Sequence, residues 1–108
     1  MFPWQTDLAH SIKKSQHAAR IGPVLDQLER ASSSVTLNIA EGNGRRSSRQ
    51  RAKFFDDARG SATECAGCLD ILVAKNVITV SEAIAGKALL IRCVSILSKL
   101  VQRFDKPS

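Results

Sequence analysis

The sequence has no tyrosine and one tryptophan, and aromatic residues make up 5% of it. So few rings leave little for stacking on nucleic-acid bases, with Trp4 and Phe2 as candidates and Trp4 equally suited to packing on the fold. Three cysteines, Cys65, Cys68 and Cys93, cannot pair off into a disulfide framework. Cys65-x-x-Cys68 has the spacing of half a zinc site, but no second pair completes it. The two histidines, His10 and His17, lie far from it in sequence and beside lysines. No run approaches the ~20 apolar residues of a membrane span. The start, Met-Phe-Pro-Trp-Gln, lacks the basic residues and apolar run of a secretion signal, so a cytoplasmic location is expected. Strand signals are nearly absent, since the β-branched cluster Val77-Ile78-Thr79-Val80 reads as a short connection. Signs of catalysis are missing too. No phosphate-loop lysine follows Gly42-Asn-Gly44. Asp56, Asp57 and Glu64 sit on a polar face, whereas metal sites in helix bundles use inward-facing Glu and His. No catalytic, metal or cofactor site is expected.

What is present is a helical pattern with a strong charge bias. The 108 residues are 44% hydrophobic and 24% charged, which suits one folded domain over residues 1–108. The net charge is +6 and the pI about 9.7, which favours an anionic partner such as nucleic acid, an acidic protein or a membrane surface.

Apolar residues recur at helical spacing in four blocks. The first spans about 7–20, with Leu8, Ile12, Ser15 and Ala19 on one side and His10, Lys13, Lys14 and His17 opposite. Thr6 or Asp7 can cap it, Gly22 ends it, and Pro23 opens the next helix. The second spans about 23–41, with Val24, Leu28, Ala31, Val35 and Ile39 on one face. Its Ser32-Ser33-Ser34 run and Thr36 are weak helix formers, so packing must hold it. Gly42 and Gly44 are expected to supply a left-handed turn at its end. The third spans about 48–75 behind a Ser47-x-x-Gln50 capping box, with Phe54, Ala58, Cys65, Leu69 and Leu72 inward. Lys53 and Asp57 have ion-pair spacing there. The fourth spans about 81–104 behind a Thr79-x-x-Glu82 capping box, and Leu90, Cys93, Leu97, Leu100 and Phe104 form its seam. The expectation is an all-α, up-and-down four-helix bundle.

Two features exceed what a lone bundle requires. Gly60, Gly67 and Ala74 repeat every seven residues away from the core stripe, with Ile71 beside them, and Ile84, Ala88 and Ile91 form a second patch. Both suit the approach of another subunit in a homo-oligomer. Arg45, Arg46, Arg49, Arg51 and Lys53 crowd nine residues at the glycine turn with no acid among them. Cations at a helix N-terminus oppose the helix dipole, so their presence points to an external anion. Arg51 points toward the apolar side, where an inter-subunit salt bridge is its other use. Arg92, Lys99 and Arg103 make a second basic edge.

The segment Ser34-Val-Thr-Leu-Asn-Ile-Ala-Glu-Gly-Asn-Gly-Arg-Arg-Ser47 resembles the signature of bacterial four-helix-bundle proteins first recognised as reading frames in intervening sequences of 23S ribosomal RNA genes. Phe54-Phe55 and Arg59-Gly60-Ser61-Ala62-Thr63-Glu64 fit the third helix of that family. The likeness runs from about Gln27 to Leu72, and more loosely to Phe104. Thr36 stands where the family often has proline, and the first helix is short and lacks the usual aromatics. The resemblance implies a left-handed up-and-down bundle assembled as a ring-like homopentamer. One branch comprises accessory variability determinants of diversity-generating retroelements, which bind a reverse transcriptase and nucleic acid through basic surfaces without catalysing a reaction.

Two functions stay open at this point. One is a non-enzymatic scaffold that binds nucleic-acid backbone, its basic sites multiplied by oligomerisation. The other is an adaptor for a protein such as a reverse transcriptase, using the same arginines.

Overall fold

The computed structural model describes residues 3–105, with side chains described from residue 20 onward. The stripe expected over Leu8–Ala19, the rings of Phe2 and Trp4, and Lys106–Ser108 lie outside what it describes. Three α-helices form: α1 (Pro3–Gly44), α2 (Ser48–Ala74) and α3 (Val80–Phe104). There is no strand among the described residues.

The two helices expected on either side of Gly22–Pro23 are instead one, because α1 runs through that point with Pro23 inside it. Proline already holds a φ close to the helical value, and what it removes is one N–H donor. Gly22 supplies no left-handed turn, since no described glycine has positive φ. The same fact corrects the reading of Gly42 and Gly44. Both are helical, and the chain turns only at Arg45–Ser47. Gly42 is there for space: a Cβ on it would lie 2.7 Å from a ring carbon of Phe55. The one left-handed residue among those described is Asn76, with φ 60°, in the connection between α2 and α3. Asparagine tolerates that conformation better than most side chains.

Caps set the starts of the later helices. Ser47 Oγ accepts from the Gln50 N–H at 3.3 Å, half of the expected capping box. At α3 both halves form, as Thr79 Oγ1 accepts from the Glu82 N–H and the Glu82 carboxylate accepts from the Thr79 N–H, each at 3.0 Å. The Thr79 N–H and hydroxyl together hold the Glu82 carboxyl below its usual range. Lys53 does not pair with Asp57; Asp56 pairs with Arg59.

α2 is the middle helix and packs on both α1 and α3, which do not approach each other directly. Phe55, Ala58 and Leu97 form the core, with Ile39, Cys93, Leu100, Val101 and Phe104 packed around it. Small residues let α1 come close to α2. Ala31 is buried, Ser34 Oγ meets Ser61 Oγ at 2.8 Å, and Asn38 Nδ2 donates to the Ser34 carbonyl at 2.8 Å. Cys65 and Cys68 are buried on α2 as thiols, and Cys93 is half-buried on α3. Burial pushes the Cys65 and Cys68 thiols upward, with Glu64 adding to both.

The radius of gyration is 19.0 Å, against ~13 Å for a compact domain of similar length. Apolar side chains are left uncovered accordingly. Leu89, Ile91, Ile84 and Ile96 on α3 are 67, 65, 63 and 58% exposed. No helix among the described residues is long and apolar enough to cross a membrane.

A candidate nucleic-acid interface at the basic turn

The antiparallel path of α2 and α3 puts the N-terminus of one beside the C-terminus of the other. Charge collects at that end. Arg45, Arg46, Arg49, Arg51, Lys53, Arg59, Lys99 and Arg103 lie there, with four acids, Glu41, Asp56, Asp57 and Asp105. Over the rest of the described side chains, five basic residues are balanced by five acidic ones. The net positive charge of the described side chains is therefore confined to the turn end.

The cluster is built in two tiers. Arg45 is committed locally: its guanidinium pairs with Glu41 at 2.8 Å, one helical turn back, and lies 5.0 Å from the centre of the Phe54 ring. Lys53 Nζ is 5.9 Å from the same ring. Glu41 thus braces the turn, and Phe54 is a platform that hydrophobic patterning alone assigns to the core. Arg46 and Arg49 project outward, exposed, and make no ion pair among the described residues. Arg51 is half-buried and turned inward, its Nε donating to the Arg45 carbonyl.

A cleft of about 480 Å³ opens beside the turn, lined by Arg49, Gln50, Lys53, Asp56, Arg59 and Asp105, with Ala52 and Val101 as floor. Arg59 reaches across to Ser98 Oγ at 3.2 Å, tying α2 to α3 at the margin of the cleft. Arg59 and Gln50 belong to this surface although charge spacing did not single them out. Arg103 joins it through Phe104, whose ring lies 5.5 Å from the Arg103 guanidinium. Lys99 and Arg92 are exposed farther along α3. Phosphate oxygens are what such an array can hold, by charge and by guanidinium N–H donors. No group of three or more His, Cys, Asp or Glu side chains able to hold a metal occurs among the described residues.

The residues of the second candidate surface are exposed. Gly60, Gly67, Ile71 and Ala74 are all exposed on α2, and no heavy atom would meet a Cβ on either glycine within 4 Å. Ile84, Ala88 and Ile91 are exposed on α3. A groove of about 350 Å³ runs between the two helices on this side, lined by Ala62, Thr63, Ala66, Lys87, Ile91 and Val94 among others.

Fold and site together define a small all-helical protein with one strongly basic end. The chain belongs to the 23S rRNA-intervening sequence protein family, whose family model matches residues 6–99. No curated protein and no solved structure matches it.

Proposed function

We propose that this protein is a non-enzymatic, homo-oligomeric scaffold of the cytoplasm that binds the sugar-phosphate backbone of RNA or DNA through its basic turn. The observation that carries this reading is that the net positive charge of the described side chains lies at one end, where Arg46 and Arg49 are exposed and make no ion pair among the described residues. Contacts of this kind position a phosphate backbone without reading bases. Binding is therefore largely independent of sequence and weakens steeply with salt.

The fold proposed for the assembled protein is a closed four-helix bundle. The apolar stripes of 8–19 and 28–39 cannot share one core on an unbroken helix. Ala19 and Leu28 are nine residues apart, two and a half turns at ~3.6 residues per turn. A bend at Gly22–Pro23 would bring residues 3–21 back along α1, over the exposed Leu25, Leu89 and Ile96. The exposed faces that carry Gly60, Gly67, Ile84 and Ile91 are then the surface for neighbouring subunits, and a ring of five is the form that the family likeness suggests.

The test is an electrophoretic mobility shift with the protein alone at about 150 mM salt, using unrelated RNA and DNA duplexes. Comparable retardation of both supports the reading. Replacing Arg45, Arg46 and Arg49 by Glu should abolish it with helicity intact. A triple variant that binds as before would show that the surface is wrong.

One observation favours a second reading. Asp56 and Asp105 line the cleft among the cations, a mixed pattern that suits a protein surface. Absence of any mobility shift, with capture of a purified reverse transcriptase of a diversity-generating retroelement, would support that adaptor role.

A further inference from the structure

Arg51 is used differently from the arginines around it. α1 ends at Gly44 with no basic residue in its last turn, so its terminal carbonyls have no cation of their own. Arg51 supplies one from the next helix, its Nε donating to the Arg45 carbonyl at 2.5 Å. Its guanidinium also lies over the Phe104 ring, 5.3 Å from the ring centre. That ring packs against Phe55, centre to centre 5.9 Å, and Phe55 fills the space above Gly42. The last residue of α3 therefore reaches both sides of the turn, Gly42 through Phe55 and Arg45 through Arg51. The turn's own backbone bond, from the Arg45 N–H to the Gly42 carbonyl, is long at 3.4 Å, so it is held from outside: by Glu41 and Phe54 on Arg45, by the Ser47 cap, and by Arg51.

We propose that Arg51 and Phe104 form a latch that fixes the Arg45–Ser47 turn and so sets the spacing of Arg46 and Arg49 toward the bound backbone. Arg51 is a positioning residue and does not itself touch phosphate. Its charge strengthens the bond to the carbonyl, and its planar group suits the ring face as a lysine would not. The latch deepens the nucleic-acid reading and rests on it, because it assigns a task to a residue of that same cluster. It also makes the end of α3 a control point: a partner that drew Phe104 away would slacken the basic turn without touching an arginine of it.

The test uses Phe104→Leu, which removes no charge but frees Arg103 from the ring as well, Arg51→Gln, which leaves the Arg103–Phe104 contact, and Arg51→Lys in case either of the others folds poorly. The first readout is amide hydrogen exchange at Arg45 and at position 51, whose N–H groups donate to the Gly42 and Ser47 carbonyls on either side of the turn; it needs no ligand. Exchange should quicken about tenfold in each variant, the change expected for one charge-assisted hydrogen bond. The second is binding to a duplex across a salt series. Affinity should fall about tenfold in each single variant, and Arg51→Gln with Phe104→Leu should fall no further than the worse single, as residues of one unit do. The dependence on salt in Arg51→Gln should match wild type. A slope shallower by about one unit would make Arg51 a phosphate contact and overturn the proposal. Unchanged exchange in all variants would overturn it as well. Quickened exchange in a protein that binds no duplex would overturn the nucleic-acid reading, and with it the role of the latch in binding.

Discussion

Replacing Gly42 and Gly44 by alanine, one at a time, should move stability in opposite directions. Both residues are helical, so alanine gains helix propensity at each, up to ~1 kcal/mol in a helix interior and less at the frayed end. At Gly44 nothing lies within 4 Å of the added methyl, and the gain stands. At Gly42 the methyl meets three ring carbons of Phe55, at 2.7, 3.0 and 3.1 Å. Phe55 has little room to yield, being 1% exposed and packed with Ala58, Leu97 and Phe104. Overpacking of that kind costs ~1–3 kcal/mol, which outweighs the propensity gain by about 1 kcal/mol. The midpoint of urea unfolding should therefore fall for Gly42→Ala and hold or rise for Gly44→Ala. The melting temperature should drop by ~4–8 °C per kcal/mol lost in a domain of this size. Loss of stability in Gly44→Ala would mean that Gly44 carries left-handed backbone, and the helical account of the end of α1 would be wrong. A Gly42→Ala protein as stable as wild type would mean that Phe55 does not press on α1.

Other perturbations have equally definite outcomes. Cys93 should react first with a thiol reagent in the native protein, and Cys65 and Cys68 slowly, because both are buried and their thiols are held above the ordinary value of 9.0; three equal rates in quantitative labelling would contradict their burial. Ser61→Ala should cost ~1 kcal/mol in urea unfolding by removing the hydroxyl partner of Ser34. Thr79→Ala should cost ~1 kcal/mol through loss of the α3 cap. The Glu82 carboxyl sits below its ordinary 4.5 in the folded chain. Its contribution is thus full above that pH and is lost as pH falls through the lower folded value. Wild type and Glu82→Gln should accordingly converge in stability on acidification, and a gap that widens below pH 4.5 would reverse the sign.

The starts of α2 and α3 were legible because the chain writes them as caps. Ser47 and Thr79 stand where hydroxyls are needed; the expected start of α2 matches the observed one, and that of α3 differs by one residue. The α3 seam was legible for a related reason, since Leu97 and its neighbours repeat at regular spacing. Gly22–Pro23 misled because the same pair that ends one helix and opens another can also lie within one, and local sequence does not weigh one lost hydrogen bond against a bend. Gly42 misled because a glycine needed for close approach looks like one needed for backbone conformation; only the position of Phe55 separates them. The basic cluster was visible as charge, but its division into braced and exposed members was not. Arg45 is held by Glu41 and Phe54, Arg51 by a carbonyl and Phe104, and those partners are known only once the helices are placed.

The most direct test of the central claim is a fluorescence-anisotropy titration of labelled RNA duplex across a salt series, with wild-type protein and with Arg46 and Arg49 both replaced by Glu. Wild type should bind, with log affinity falling linearly as log salt rises. The double variant, which leaves the Arg45–Glu41 pair and the Arg51 contact intact, should keep its helical spectrum and lose that binding. Equal affinity and equal slope in the two proteins would contradict the assignment of the basic turn as the phosphate-binding surface.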